Sequence, residues 1–68
     1  MARAMGQAYQ MGYDDARALK KLGRLIKPRK TGEQIASLLV ADATKEQAGY
    51  LQQAYASAMW QFANHGGA

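Results

Sequence analysis

Small and apolar residues recur at every third or fourth position along three segments of this 68-residue chain, with polar residues between them. This spacing indicates amphipathic α-helices, because one side of a helix repeats about every 3.6 residues. The predicted helices cover about residues 3–26, 32–41 and 45–64. The expected fold is therefore a single all-α domain over residues 1–68, with three helices in the order long, short, long.

The apolar side of each predicted helix is expected to form the core. It comprises Met5, Ala8, Gly12, Ala16, Leu19, Leu22, Leu25 and Ile26 in the first helix, Ile35, Leu38 and Leu39 in the second, and Ala48, Leu51, Tyr55, Ala58 and Phe62 in the third. The small residues at positions 8, 12 and 16 predict a close approach by the third helix, near its own Ala54 and Ala58. We expect the two long helices to be antiparallel, with the short helix across one end. The first helix is expected to continue unbroken through Gly12, and the alternative is a break there, with Asp14 and Asp15 at the start of a new helical segment.

Local signals mark the ends of these helices. Thr31 and Thr44 each precede a glutamine by three residues, in the tetrapeptides TGEQ and TKEQ. In a capping box the threonine hydroxyl bonds the backbone N–H three residues on, and the glutamine side chain reaches back, so both tetrapeptides predict helix starts. Pro28 is expected to stop the first helix. The tripeptide His65, Gly66 and Gly67 is expected to end the third.

The composition limits how such a short chain can be stabilised. With no cysteine and one histidine, it can form no disulfide and lacks a usual set of zinc ligands. A core of this size supplies roughly 3–5 kcal/mol, which leaves a homodimer or another partner open. No apolar run approaches the ~20 residues of a membrane span, and the first residues lack the apolar segment of a signal peptide. We therefore expect a cytoplasmic protein.

The positive charge is concentrated in residues 17–30, which contain no acidic residue. Seven of the nine basic residues lie there: Arg17, Lys20, Lys21, Arg24, Lys27, Arg29 and Lys30. The first five share one side of the predicted helix, opposite the leucines, and the last two follow Pro28. Such a cluster attracts polyanions. The leading hypothesis is a non-catalytic binding protein that contacts the phosphates of DNA or ribosomal RNA.

Three other interpretations of this basic stretch remain open: a merely solvated surface, a docking site for an acidic protein surface, and contact with an anionic membrane surface. The membrane interpretation is the weakest, because the leucines of the stretch are expected in the core and it contains no Trp or Phe. A helix-turn-helix that reads bases is also disfavoured. Its recognition helix would begin near Glu46 and would have Lys45 as its only basic residue.

Aromatic and sulfur-containing side chains suggest a second surface. Much aromatic area lies at or beyond the edge of the predicted core, which is typical either of a core boundary with polar tips in water or of a face for a protein partner or a homodimer. The residues of this face would be Tyr9, Tyr13, Tyr50, Met59 and Trp60. The alternative function is therefore a small inhibitor or adaptor of the kind found in phages and mobile elements, similar to an anti-CRISPR, which binds a host protein.

The chain lacks the convergent groups that catalysis needs. His65 lies in a glycine-rich end, and neither Ser37 nor Ser57 has a base nearby in the pattern. Asp14 and Asp15 are adjacent, so on a helix they point in different directions, and Asp14 with Arg17 is expected to form a surface pair. We expect no enzymatic activity, no small-molecule substrate, no metal and no cofactor.

Two short stretches resemble one known family. Met11, Gly12 and Tyr13 in the first predicted helix, with Trp60 in the last, are similar to the Gly-Tyr pair and later tryptophan of the bacterial ribosome modulation factor family. The spacer between the two stretches is longer in this chain. The resemblance is confined to these positions and assigns no functional residue.

Overall fold

A computed structural model describes residues 2–66 of the chain, with side chains through residue 64. It contains helices α1 (Ala2–Lys21), α2 (Gly32–Leu39) and α3 (Lys45–Gln61), and α3 continues into a π-helical turn, Phe62–Gly66. No strand occurs in this part of the chain. The predicted all-α class and the order long, short, long are confirmed. The helix end predicted at residues 65–67 lies in part outside the described residues, which exclude the His65 side chain and Gly67.

Helix α1 passes through Gly12 without a break, as predicted, but it ends at Lys21 rather than near residue 26. Gly23 has a φ of 69°, a left-handed conformation that glycine adopts without steric cost. The N–H of Gly23 bonds the carbonyl of Lys20 at 3.0 Å, and the N–H of Arg24 bonds that of Leu19 at 2.9 Å. This pair of bonds is a Schellman cap, so Gly23 ends the helix five residues before Pro28.

The early end of α1 corrects the expected placement of two leucines. Leu22 and Leu25 are 66% and 77% exposed, because they lie in the turn and the non-helical segment that follow α1 instead of on its inward side. Ile26 is partly buried and packs against the core from that segment. Leu38, at the end of α2, is also exposed, at 66%, although the periodicity placed it in the core.

Helices α2 and α3 begin where the tetrapeptides predicted. The Thr31 hydroxyl accepts the Gln34 N–H at 3.2 Å, and the Gln34 side chain accepts the Thr31 N–H at 2.8 Å. Thr44 and Gln47 repeat this arrangement at 3.1 and 2.9 Å. Both capping boxes are therefore confirmed. Helix α2 ends at Leu39, two residues earlier than expected, because the following Val40 is extended.

The long helices approach each other most closely at Gly12. A Cβ atom placed on Gly12 would lie 2.3 Å from the carbonyl oxygen of Tyr55 and 2.7 Å from the Cβ of Ala58. This confirms the close approach predicted from the small residues. The buried core consists of Ala4, Ala8, Ala16, Leu19, Ile35, Ala36, Ala48, Leu51, Tyr55, Ala58, Met59 and Phe62.

The expectation that α1 and α3 are antiparallel is wrong. Gly12 of α1 lies against Tyr55 of α3, and further along α1 the ammonium of Lys20 lies 5.8 Å from the ring centroid of Phe62. The contacts advance in the same direction along both chains, so the two long helices are parallel. Hydrophobic periodicity identifies which sides pack together but carries no information about direction.

The chain returns between the two parallel helices through residues 22–31 and α2. Pro28 lies in a cleft beside Trp60, the Arg29 N–H reaches Tyr55, and Gly32 packs against Ala48. These contacts move toward the start of α3 as the chain advances. The non-helical segment 24–30 therefore runs antiparallel to α3 along its surface, which places the basic residues of that segment beside the C-terminal half of α3.

Between residues 2 and 66, no helix is both long enough and apolar enough to cross a bilayer.

Candidate functional site

Three cations converge where the chain leaves α1. Arg24, Lys27 and Arg29 line a cleft of about 280 Å³, together with the apolar side chains of Leu19 and Leu25. No carboxylate of the described residues lines it. The early Schellman cap creates this arrangement, because it turns the chain back over the end of α1 instead of continuing the helix. We refer to it as the three-cation cleft.

Four cations of this region are exposed and form no ion pair with a carboxylate of residues 2–64. Lys21, Arg24, Lys27 and Arg29 are all exposed. In that part of the chain, Arg17 and Lys30 pair with Asp14 and Asp15 instead. The charge of Arg29 nevertheless helps to lower the pKa of Asp15. Exposed like charges repel one another, and an external polyanion removes that repulsion. The four exposed cations are therefore accessible to an external anion.

Two residues of the predicted patch lie on α1 itself. Arg17 contacts Asp14 at 3.8 Å, which confirms the expected surface pair. Both side chains are more than half exposed, so the pair is weak and the Arg17 charge stays accessible. Lys20 is exposed, with its ammonium over the Phe62 ring. Both residues extend the positive surface from the three-cation cleft along α1.

The seventh predicted contact, Lys30, also has a structural role. Its ammonium lies 2.6 Å from a carboxylate oxygen of Asp15, and it also lies 5.8 Å from the ring centroid of Tyr55. The Lys30 side chain is 30% exposed, and its charge is compensated by Asp15. The pairing with Asp15 makes Lys30 less available to a polyanion than the other predicted residues, and its place in the polyanion-binding set stays a prediction. Sequence alone could not show this pairing, because the two partners are 15 residues apart.

A polar cluster ties the basic segment to both long helices. The Tyr55 hydroxyl donates a hydrogen bond to the Asp15 carboxylate and accepts one from the Arg29 N–H at 3.2 Å. With Lys30, these groups form what we call the Asp15 cluster. Partial burial alone would raise the pKa of Asp15, but the hydrogen bonds from Lys30 and Tyr55 outweigh it and hold the pKa below its usual range. Burial, with the bond to Asp15, raises the pKa of Tyr55 to about 12.

A second cleft lies next to the three-cation cleft. It has a volume of about 240 Å³ and is lined by Ile26, Lys27, Pro28, Ala56, Met59, Trp60 and Ala63. Lys27 lines both clefts. Trp60 is 59% exposed. We refer to this feature as the Trp60 cleft. The sequence pattern assigned Trp60 to an aromatic protein-binding face, and the structure places this residue beside the basic segment.

The predicted aromatic face does not form one surface. Met59 is only 2% exposed, so its assignment to a contact face is wrong: it belongs to the core. Tyr13 is half-buried between Tyr9 and Phe62, with ring centroids 5.3 and 6.0 Å away. Tyr9 and Tyr50 are 37% and 53% exposed. Tyr13 packs beside α3 at Phe62, whereas Trp60 faces the returning segment, so the exposed aromatic residues are dispersed.

Groups that could support other chemistry are not brought together in the described part of the chain. No three His, Cys, Asp or Glu side chains there are placed to hold a metal ion. The Ser37 hydroxyl bonds the Gln34 carbonyl one turn earlier, at 2.8 Å. Asp15 is engaged with Lys30 and Tyr55 rather than paired with Asp14.

Comparisons of the chain with protein-family models, with curated proteins and with solved structures found no match.

Proposed function

We propose that this protein binds nucleic acid, either DNA or RNA such as ribosomal RNA, without catalysing a reaction. The basic end of the molecule makes the contacts, through Arg17, Lys20, Lys21, Arg24, Lys27 and Arg29. The observation that carries the proposal is the three-cation cleft, in which three basic side chains surround one concavity that no described carboxylate lines. A phosphate group fits this chemistry, because it is small, charged and offers several acceptor oxygens.

The contacts are with the phosphate backbone rather than with base edges. Lysine and arginine side chains at the end of α1 and along the adjoining segment can follow a line of phosphates, and each phosphate neutralised releases counterions. If four cations take part, the logarithm of the binding constant falls with the logarithm of salt concentration with a slope of roughly −3 to −4. A surface that is merely solvated gives no measurable binding at any salt concentration.

A titration of labelled DNA and RNA, followed by fluorescence anisotropy at increasing salt, tests the proposal. The variant Arg24→Glu/Lys27→Glu/Arg29→Glu is expected to lose binding. The control Lys45→Glu changes a charge of the same sign at the start of α3, outside both clefts. Binding that is independent of salt, or that is equal in the triple variant and the control, contradicts the proposal.

The exposure of Tyr9, Tyr50 and Trp60 favours a second candidate, an inhibitor or adaptor that binds a host protein. Pull-down from a nuclease-treated bacterial lysate separates the two functions. The second candidate requires a partner that resists nuclease, that the Arg24→Glu/Lys27→Glu/Arg29→Glu variant still binds and that Tyr50→Ala loses. A homodimer stays a prediction, and the mass in solution at several concentrations tests it.

A further inference from the structure

The Trp60 cleft has the composition of a site for a flat apolar ring. One wall is Trp60, and the other lining residues apart from Lys27 are apolar: Ile26, Pro28, Ala56, Met59 and Ala63. The indole is 59% exposed although it lies beside these groups, so a ring of its size can reach it. Bases of nucleic acids stack on aromatic side chains without sequence preference, because every base has a π face.

The two clefts lie next to each other, as the base and the phosphate of a nucleotide do. Lys27 lines both, so this one residue joins the cleft that contains Trp60 to the cleft that contains Arg24 and Arg29. In a nucleic acid strand each base is followed along the chain by a phosphate. A base against Trp60 therefore places the neighbouring phosphate toward the three-cation cleft.

We propose that the basic end recognises single-stranded nucleic acid, with an unpaired base stacked on Trp60 and an adjoining phosphate in the three-cation cleft. This inference rests on the proposed function and narrows it from nucleic acid in general to single strands. In a duplex the bases are paired and stacked on one another, so none is available to the Trp60 cleft without unpairing. A single strand, a loop or a frayed end offers both groups at once.

An anionic lipid surface is the competing partner for the same residues. The exposed Leu22 and Leu25 lie near the cations, a combination that also occurs where proteins contact the membrane interface. The concave placement of the other groups favours nucleic acid, because Trp60 and the three cations line clefts. A cleft receives a ring or a phosphate, whereas insertion into lipid requires side chains that protrude.

The single tryptophan of the chain reports directly on this site. Addition of an unlabelled single-stranded oligonucleotide is expected to quench the Trp60 fluorescence of the full chain, and a duplex of the same sequence is expected to bind about tenfold more weakly. In anisotropy measurements with a labelled oligonucleotide, Trp60→Ala is expected to weaken single-strand binding about tenfold and to leave duplex binding unchanged. Trp60→Phe retains a stacking ring and is expected to preserve most of the affinity.

The control Tyr50→Ala removes another exposed aromatic residue from α3, outside both clefts. It is expected to bind single strands as the parent chain does. Unfolding curves check that each variant is folded, and the exposure of both side chains makes that outcome the expected one.

Three other outcomes contradict the inference, and they differ in what they imply for the proposed function. Equal affinity for single strand and duplex, with no effect of Trp60→Ala, overturns the single-strand inference and leaves the proposed function standing. Absence of binding to any nucleic acid removes both. Fluorescence changes with vesicles of phosphatidylserine and phosphatidylcholine, but not with oligonucleotides, assign the surface to lipid instead.

Discussion

The hydroxyl of Tyr55, in the middle of α3, donates a hydrogen bond to the carboxylate of Asp15 on α1. The same carboxylate holds the ammonium of Lys30, and the same hydroxyl accepts the N–H of Arg29. Two residues on parallel helices thus fix the end of the segment that carries Arg24 and the residues after it. The shape of the three-cation cleft depends on this attachment, because the segment has no regular secondary structure of its own.

Removal of the Tyr55 hydroxyl is expected to destabilise the fold. Tyr55→Phe keeps the buried ring but leaves Asp15 and the Arg29 N–H without this partner, which we expect to lower the free energy of unfolding by about 1–3 kcal/mol. Urea unfolding measures the change. Tyr50→Phe, at an exposed position, is the matched control and should change the value by less than about 0.5 kcal/mol. Equal effects of the two substitutions would show that the Asp15 cluster contributes nothing.

The Asp15 cluster makes stability depend on acid pH. Because the pKa of Asp15 is lower in the folded protein than its ordinary 3.8, the unfolded chain takes up the proton first as the pH falls. The contribution is therefore complete above the unfolded pKa and is lost as the pH falls through the folded pKa. Unfolding of the parent and of Asp15→Asn at a series of pH values should show a difference that shrinks below about pH 4. A difference that stays constant into acid contradicts this.

The alkaline limit follows from Tyr55. Its pKa of about 12 in the folded protein exceeds the ordinary 10.0, so the unfolded chain loses the proton first as the pH rises. The stability advantage of the parent over Tyr55→Phe should therefore be complete below about pH 10 and should decline as the pH approaches 12. Absorbance of tyrosinate in the folded protein provides a second measurement, because a component that titrates near pH 12 in the parent should be absent from Tyr55→Phe.

The parallel packing of α1 and α3 depends on the absence of a side chain at Gly12. In Gly12→Ala the new methyl would meet the Tyr55 carbonyl and Ala58, so the helices must separate, and we expect a loss of about 1–3 kcal/mol. Gly6→Ala is the control on the same helix, because a Cβ there meets nothing within 4 Å. It should stabilise the protein by about 0.5–1 kcal/mol through helix propensity. If both substitutions stabilise the protein, the close approach at Gly12 is wrong.

The cap at Gly23 determines where α1 ends. Gly23→Ala forces a residue with a Cβ into a φ of 69°, which costs about 1–2 kcal/mol. Gly49→Ala, in the open interior of α3, should instead be mildly stabilising. Thermal unfolding compares the two. The cap also sets the direction in which the chain leaves α1, and therefore the position of Arg24 and the residues after it. We expect Gly23→Ala to weaken nucleic acid binding as well, whereas Gly49→Ala should leave binding unchanged.

Some of these features were accessible from local sequence. The capping boxes at Thr31 and Thr44 fix the starts of α2 and α3 because all of their hydrogen bonds join residues three apart. Gly23 was an equally local signal for the end of α1, because it follows Lys20, Lys21 and Leu22. The longer apolar periodicity obscured it, and Leu22 and Leu25 were consequently placed in the core.

The arrangement of the candidate site, in contrast, was mostly inaccessible from local sequence. Its cations were visible as an uneven charge distribution, but their division into accessible and compensated groups was not. Lys30 is neutralised by Asp15, 15 residues earlier, and Arg29 is held by Tyr55, 26 residues later. Met59 and Trp60 are neighbours in sequence, yet one is buried and the other borders a cleft with Lys27.

The sequence by itself determined the helical class, two of the three helix starts, the close approach at Gly12 and the concentration of charge. Each of these depends on residue type and on spacing within a few turns. The tertiary structure alone decided that α1 and α3 are parallel, that the non-helical segment runs back along α3, and that Trp60 lies beside the three-cation cleft. The physical reason is that such contacts join distant positions, from 15 residues apart for Asp15 and Lys30 to 43 for Gly12 and Tyr55, where chain direction and packing, rather than local periodicity, select the partners.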